Sequence, residues 1–440
     1  MLLLICSTPV WAQELKDDKQ PPPDPDARVH VAQIELQGLR CTEEFVVFNQ
    51  LPFAAGAQVF IHEIEEGVRR LRNLAIFDRV EYRLEPALDP LDADADADAA
   101  IERELVITLV ERWTILPILN FNFGGNATSF SLGVYDLNIA GRNFELGGLY
   151  RYEAGAHSAG AWYRSPSFLG QRLMRFEFEL WRASVRRLIY ALDGELAGGF
   201  EHRSHYALVR LAQEWTPSAR TSVALRFTID DFSLNGVPAT ARQAQQGQGL
   251  PQSTALAIVV LGAELGRLDQ DSFLVFGQRL SLSLDVASSG FGAPQSYLSP
   301  RLNLEFFRTL PLESTFGARM TLATTNTDSQ AYQFYLGGLN NVRGYGNSRF
   351  HGRSFWNANV ELRVPSFNNR YFVLQHVLFA DSTRVIDAPR DLFDITAASA
   401  GIGLRLIVPR VAGLLIRLDY AWTFFVPGEA NFNVGSGQFF

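Results

Sequence analysis

Cysteine is scarce in this sequence, and long apolar runs are missing. Cys6 and Cys41 are the two cysteines among 440 residues. Removal of an export signal ending at Ala12 would leave Cys41 alone, so we expect no internal disulfide bond in the mature chain. The longest uncharged stretch, residues 113–135, is interrupted by proline, glycine and asparagine. It falls short of the roughly 18 unbroken apolar residues of a membrane helix, so a helical membrane protein is not expected.

The sequence also lacks an excess of positive charge and recognisable catalytic motifs. The net charge is -8 and no run is rich in lysine or arginine, so we expect no nucleic-acid partner. The seven histidines are scattered, and neither Gly-x-Ser-x-Gly nor His-Glu-x-x-His occurs. The acidic tract at residues 92–98 lacks the glycine and terminal glutamate of a calcium loop, and we interpret it as a solvated connector. We therefore predict no enzymatic activity, no cofactor and no metal site, with an outer-membrane enzyme as the rival hypothesis.

The N-terminus has the pattern of an exported protein. Residues 1–12 combine an apolar core with a small residue at a cleavage position, although the positively charged start of a signal peptide is missing. Residues 13–28 are rich in proline and aspartate and predict a linker. The remainder divides near residues 111–113, which gives a small domain at 29–112 and a large one at 113–440.

Residues 29–112 alternate between strand and helix patterns. Strands are predicted at residues 29–36, 79–84 and 104–110, and a short helix begins near Thr42, which offers a capping hydroxyl. A second helix has its apolar residues three or four apart on one stripe, namely Ile61, Ile64, Val68, Leu71 and Leu74. The order β-α-α-β-β predicts one small α+β domain with a single core.

Residues 113–440 consist of short segments in which apolar and polar residues alternate. Residues 176–180, 280–286 and 302–306 place charges or hydroxyls on one face and bulky apolar groups on the other. A soluble sandwich alternates similarly, but aromatic residues at 420–425 and the final Phe440 are typical of a membrane barrel. At about 20 residues per strand and turn, the region predicts an all-β transmembrane barrel of about 16 antiparallel strands. Residues 182–211 fit one long strand or two short ones.

The most specific pattern is a glycine-rich loop followed by an alternating strand at residues 337–363. Gly344 and Gly346 flank the centre of the loop, where Arg343 and Tyr345 lie and where glycine lets the backbone turn sharply. In the strand that follows, apolar Trp356, Ala358, Val360 and Leu362 alternate with polar Asn357, Asn359, Glu361 and Arg363.

This loop resembles the Val-Arg-Gly-Phe/Tyr loop of the BamA- and TamA-like outer-membrane assembly factors, in which POTRA domains precede a bacterial surface antigen barrel. Residues 138–143, 165–170, 401–405 and 417–420 match other family segments in the same order, and residues 29–112 resemble a single POTRA domain. The resemblance implies that the 337–353 loop folds into the lumen and that Arg343 pairs with Asp381 and Glu361. Alternation places Arg405 on the polar face of its strand. The alternative is an arginine on a solvated outer loop.

Closure of the barrel requires a seam between its first strand, at about residues 116–123, and its last, at about 433–440. We expect Phe121, Phe123 and Phe440 to lie at this seam, and Gly435 and Gly437 to weaken pairing there. Ordinary fraying of a strand end is the alternative reading of the glycines.

The resemblance implies a function in which that seam opens sideways. We expect an insertase or translocase of the bacterial outer membrane, with its POTRA domain in the periplasm, where the domain binds clients or serves as a spacer. The expected partners are unfolded outer-membrane or secreted polypeptides, membrane lipid and accessory proteins of the periplasm. A dedicated polypeptide exporter, a lipid-handling relative and a passive channel are the alternatives.

Overall fold

The computed structural model describes residues 27–86, 102–124, 127–168, 171, 173–191, 194–271, 273–338, 341–369, 371–386, 395–408, 415–426, 428, 432–438 and 440. The predicted signal at residues 1–12, the linker as far as residue 26 and the acidic tract at 92–98 lie outside these ranges. The chain divides into two compact units. The first comprises Met1–Leu116 and Tyr135–Leu146, and the second comprises Pro117–Val134 and Gly147–Phe440.

The first unit contains a four-stranded sheet and two helices. Its elements are β1 (Arg28–Gln37), α1 (Glu44–Phe48), β2 (Ala57–Phe60), α2 (Ile61–Asn73), β3 (Phe77–Pro86) and β4 (Glu102–Glu111). The sheet order is β2-β1-β4-β3, with β1 and β4 parallel. The predicted stripe of α2 is buried from Ile61 to Leu71 and packs into the core of this unit. Strand β2 was not predicted, because four residues are too few to show an alternating pattern.

Glu111 fixes the chain that enters α1. Its carboxylate accepts hydrogen bonds from the main-chain N–H groups of Cys41 at 2.9 Å and Thr42 at 2.7 Å. Partial burial by itself would raise the pKa of the Glu111 carboxyl, but these hydrogen bonds outweigh it and hold the pKa below its usual range. The contact between two distant segments therefore depends on an ionised carboxylate.

The barrel begins with β5 (Ile115–Gly124), β6 (Ala127–Ile139), β7 (Phe144–Glu153), β8 (Ala156–Ser165), β9 (Met174–Tyr190), β10 (Leu196–Thr216), β11 (Ala219–Ser233), the helix α3 (Ala239–Gln248), β12 (Thr254–Asp271) and β13 (Leu274–Ala287). It continues with β14 (Tyr297–Leu310), β15 (Ser314–Thr324), the short hairpin of β16 (Phe334–Leu336) and β17 (Phe350–Gly352), β18 (Ser354–Asn368), β19 (Val373–Ile386), β20 (Ala397–Ile407), β21 (Leu415–Phe424) and β22 (Phe432–Ser436). Apart from β16 and β17, these strands form a closed ring of sixteen in the described ranges, with β22 returning to β5. The predicted barrel of about 16 strands is confirmed.

Burial alternates along the barrel strands as the sequence predicts. On β21 the inward Arg417, Asp419 and Ala421 are at most 5% exposed, whereas the outward Tyr420 and Trp422 are 39% and 49% exposed. A polar buried face and an apolar exposed face are the reverse of a soluble protein and match a strand between lipid and lumen. No helix in the described part of the chain is both long and apolar enough to span a membrane.

The ambiguous stretch at residues 182–211 belongs to two long strands, β9 and β10. Strand β10 has 21 residues, about twice the 9–11 that a tilted strand needs to cross a bilayer. Seventeen residue pairs join β9 to β10. This hairpin therefore extends beyond the membrane-spanning part of the barrel.

Candidate functional site: the inward segment and the strand seam

The connection between β15 and β18 is an inward segment, defined here as residues 325–353. It forms the β16–β17 hairpin, in which Phe334 pairs with Gly352 and Leu336 with Phe350. Val342 and Tyr345 are fully buried in an apolar cluster that includes Leu336. A connecting loop normally runs over the surface, so its burial against barrel strands means that it fills part of the lumen.

Arg343 lies at the centre of this segment and is 1% exposed. Its Nε donates to Oδ2 of Asp381 at 2.7 Å, and its Nη2 donates to Oδ1 of the same carboxylate at 2.8 Å. Its Nη1 donates to Oε1 of Glu361 at 2.6 Å. The guanidinium carbon also lies 3.5 Å from the ring centroid of Phe379. The structure thus brings together the three residues that the family resemblance pairs.

The ion pairs continue through four adjacent strands. Arg405 on β20 donates to Asp419 on β21 at 2.6 Å and to Glu361 on β18 at 3.3 Å. Arg363 donates to Glu361 at 2.8 Å, and Arg417 lies 3.5 Å from Asp419. We call the set the lumenal ion network: Arg343, Glu361, Arg363, Asp381, Arg405, Arg417 and Asp419.

Sequence reasoning missed Arg363, Arg417 and Asp419 as members of this network. The signal was available, because Arg417 and Asp419 share the inward face of β21, and Arg363 lies on the polar face of β18, each in a period-two pattern. What the pattern could not give was the partner of each charge, which depends on the register of β20 against β21. In that register Gly403 lies opposite Asp419 and Arg405 lies opposite Arg417.

The network fixes the position of the loop but adds little to the overall stability of the protein. The network contains four guanidinium groups and three carboxylates, and each carboxylate forms an ion pair with at least one arginine. Desolvation of buried charges offsets most of their attraction, so an intact network contributes little net stability, whereas loss of one partner costs about 3–5 kcal/mol. Within the described ranges, no group of three or more His, Cys, Asp or Glu side chains is placed to hold a metal ion.

Gly344 and Tyr345 fit the loop closely to the wall. Gly344 has φ +90°, and a Cβ there would lie 2.6 Å from Cγ2 of Thr423. The position therefore admits only glycine without a shift of the loop. The hydroxyl of Tyr345 lies 2.8 Å from the carbonyl oxygen of Ala398 and 2.6 Å from that of Phe424, and it donates to one of them at a time.

The inward segment is also held at sites that sequence reasoning missed. Tyr332 donates its hydroxyl hydrogen to Oδ2 of Asp230 on β11 at 3.0 Å. Arg349 donates to the carbonyl oxygen of Ala191 at 3.1 Å, at the end of the long β9 strand. These partners are more than 100 residues apart along the chain, and no local pattern signals them.

The seam between β22 and β5 has little main-chain pairing. Among the described residues, which leave out 125–126, 429–431 and 439 beside these strands, two residue pairs join them, Val434 with Phe123 and Gly435 with Asn122, whereas eleven pairs join β13 to β14. Side chains supplement the pairing, since the Phe121 N–H donates to Oγ of Ser436 at 3.1 Å. A Cβ at Gly435 would lie 2.2 Å from the Asn122 side-chain oxygen, so a larger residue there would displace the Asn122 side chain.

The prediction that the last strand runs to residue 440 is wrong. Strand β22 ends at Ser436, and the following Gly437 has φ +80°, which breaks the extended conformation. Phe440 does not lie at the seam. Its ring centroid is 5.9 Å from that of Phe307, and Arg363 of the ion network donates to its main-chain oxygen at 2.8 Å.

Comparison with known proteins identifies the fold and the family. BamA of Haemophilus ducreyi lacking POTRA domains 1–3 is similar with a TM-score of 0.60 at 16% identity, over 93% of this chain and 84% of that one. CdiB of Acinetobacter baumannii gives 0.60 at 15%, over 92% and 73%, and CdiB of Escherichia coli gives 0.61 at 12%, over 93% and 77%. No curated protein sequence matches the chain. The Omp85 superfamily domain matches residues 119–440, so the chain belongs to the Omp85 superfamily and its barrel is that of a bacterial outer-membrane protein.

Proposed function

We propose that the protein is an insertase or translocase that assembles or exports client polypeptides through a lateral opening between β22 and β5. The observation that carries this proposal is the seam, which is the weakly paired junction described above. The inward segment occupies part of the lumen, which supports a route through the barrel wall at this weakly paired junction.

Opening of the seam should cost less free energy than opening of an ordinary strand junction. Each main-chain hydrogen bond contributes about 0.5–1.5 kcal/mol, so a junction of two residue pairs opens at far lower cost than one of eleven. The part of β5 from Leu116 to Asn120 has no register partner on β22 in the described residues. Unpaired main-chain groups in hydrocarbon are unfavourable, and a client strand added to this edge would satisfy them. Folding of the client then drives the process, and no cofactor is consumed.

The lumenal ion network supports the same proposal. It holds the 337–353 loop against β18 to β21, beside the strand that ends at the seam. We assign Arg343, Gly344, Tyr345, Glu361, Asp381 and Arg405 to the holding of this loop and add Arg363, Arg417 and Asp419. A passive channel is the second candidate, but a lumen that contains a buried, multiply bonded segment disfavours free diffusion. Single-channel conductance that is unaffected by replacement of Arg343 would favour the channel.

The first unit suits a periplasmic client-binding role. Its sheet has β2 and β3 at the edges, and an edge strand can accept a client strand through main-chain hydrogen bonds. We assign it as a POTRA domain in the periplasm that follows a cleaved signal peptide, with a rigid spacer as the alternative. Accessory proteins of the periplasm and membrane lipid are further proposed partners, and we propose no enzymatic activity.

Crosslinking from the seam tests the proposal and separates its versions. A single cysteine replaces Leu119, which is 63% exposed on β5, in a protein without Cys6 and Cys41. The protein is reconstituted in vesicles and supplied with an unfolded polypeptide that carries one cysteine. Capture of a barrel precursor indicates an insertase, and capture of a secreted polypeptide indicates a dedicated exporter.

The matched control places the cysteine at Leu282, which is 46% exposed on β13 and far from the seam in strand order. It should capture neither polypeptide. Equal capture at both positions, or at neither, would contradict lateral passage.

A further inference from the structure

A cavity of about 600 Å³ lies in the barrel beside the β16–β17 hairpin. Its walls are formed by the inward faces of strands from β9 to β15 and by residues 331–336 and Asn341 of the inward segment. Pockets of about 300–1,000 Å³ accommodate small ligands in proteins. The cavity is thus large enough for a ligand, and it is distinct from the lumenal ion network.

Positive charge predominates in the cavity. Four arginines and two carboxylates line it, namely Arg187, Arg226, Arg301, Arg319, Asp230 and Asp285. Both carboxylates have partners already. Asp230 accepts hydrogen bonds from Ser204 at 2.6 Å and Tyr332 at 3.0 Å, and Asp285 lies 3.7 Å from Arg226.

Two of the arginines have aromatic neighbours instead of carboxylates. The guanidinium carbon of Arg187 is 4.7 Å from the ring centroid of Tyr335, and that of Arg301 is 5.5 Å from the ring centroid of Phe334. In the described part of the chain, neither forms an ion pair with a carboxylate, and the buried Nε of Arg187 has no hydrogen-bond acceptor. A guanidinium binds carboxylates through paired hydrogen bonds and is stabilised by doing so in a site of low dielectric constant.

Aromatic surface adds a second element of recognition. Tyr297 and Tyr332 stack with centroids 5.2 Å apart, and both line the cavity together with Tyr206. A small oxyanion would meet the arginines but leave this surface and most of the volume unused. A ligand that carries both carboxylates and apolar side chains would use both.

We propose that the cavity binds an acidic segment of a client polypeptide. Carboxylates of the segment pair with Arg187 and Arg301, and its apolar side chains contact the tyrosine rings. The inference rests on the proposed function, because that function brings polypeptide to the lumen, and it adds a preference of the lumen for acidic sequence.

Peptide binding to the purified full-length protein tests the inference. The probe is a fluorescent peptide of alternating aspartate and phenylalanine, and its counterpart has lysine in place of aspartate. Anisotropy should show at least tenfold tighter binding of the acidic peptide, and Arg187→Gln and Arg301→Gln should each weaken that binding at least tenfold. Arg210→Gln is the matched control, because Arg210 pairs with Glu177 at 2.9 Å and lies outside the cavity lining.

Equal binding of the two peptides by the wild-type protein would overturn the inference, and this comparison does not depend on how well the variants fold. Binding of inorganic phosphate without binding of the acidic peptide would overturn it too, since the site would then serve a small oxyanion. Failure of the proposed function is a separate result. A protein that binds the acidic peptide but captures no client at position 119 would contradict lateral passage and leave the cavity assignment standing.

Discussion

Replacement of Arg343 by alanine should release the inward segment while leaving the barrel intact. The side chain gives Asp381 two of its hydrogen bonds, at 2.7 and 2.8 Å. Without it, that buried carboxylate retains the main-chain N–H of residue 343 at 3.1 Å and the amide of Asn359 at 2.9 Å. Glu361 retains Arg363 and Arg405. Loss of the cationic partner leaves the charge of Asp381 uncompensated, which should destabilise the packed position of the loop by about 3–5 kcal/mol.

The cost can be measured as a population of released loop. Because 1.4 kcal/mol is a tenfold change in an equilibrium constant, a cost of about 3 kcal/mol raises the released fraction about 100-fold. Ser348, which is 6% exposed in the inward segment, is replaced by cysteine in a protein without Cys6 and Cys41, and its rate of maleimide labelling reports release. Labelling should accelerate strongly, while the temperature at which the barrel unfolds on a gel changes little, since no barrel strand loses a main-chain hydrogen bond.

Two further variants make the reasoning refutable. Asp381→Asn in the Arg343→Ala background removes the orphaned charge and should recover part of the lost protection. Arg210→Ala removes a different lumenal arginine, one that pairs with Glu177, and should leave labelling at position 348 unchanged. Labelling that does not increase in Arg343→Ala, or that increases equally in Arg210→Ala, would refute the role of Arg343 in holding the inward segment.

Three other predictions concern the loop, the seam and the first unit. Gly344→Ala should accelerate labelling at position 348. Gly437→Ala should not, because Gly437 also has a positive φ but no atom lies within 4 Å of a Cβ added there. Ser436→Ala removes the acceptor of the Phe121 N–H and should speed hydrogen exchange of that amide while the β13–β14 amides stay protected. Glu111 has a lowered pKa, so its stabilising contribution is present above its ordinary pKa of 4.5 and is lost as the pH falls through the folded value. Glu111→Gln should therefore weaken protection of its two amide partners at pH 7, and the effect should diminish as the pH falls below 4.5 and through the lowered pKa.

The sequence predicted those features that depend on alternation along single strands. Period-two patterns showed the polar face of β18 with Glu361, and the family resemblance supplied its pairing with Arg343 and Asp381. The partner of Asp419 depends on cross-strand register, and the bond from Tyr332 to Asp230 joins residues 102 positions apart. Neither leaves a local trace in the sequence. The position of Phe440 was mispredicted because the positive φ of Gly437, which ends the strand, is set by tertiary structure.

A disulfide bond across the seam tests lateral opening most directly. Phe123 and Val434 are register partners on β5 and β22, and cysteines at both positions, in a protein without Cys6 and Cys41, can join the strands under oxidising conditions. The same substitution at Leu282 and Leu302, which are partners on β13 and β14, gives a matched lock elsewhere in the wall. We predict that the disulfide bond at the seam stops assembly of a supplied client in vesicles, that reductant restores assembly, and that the control disulfide bond has no effect. Client assembly at the normal rate with the seam closed would contradict lateral opening between β5 and β22.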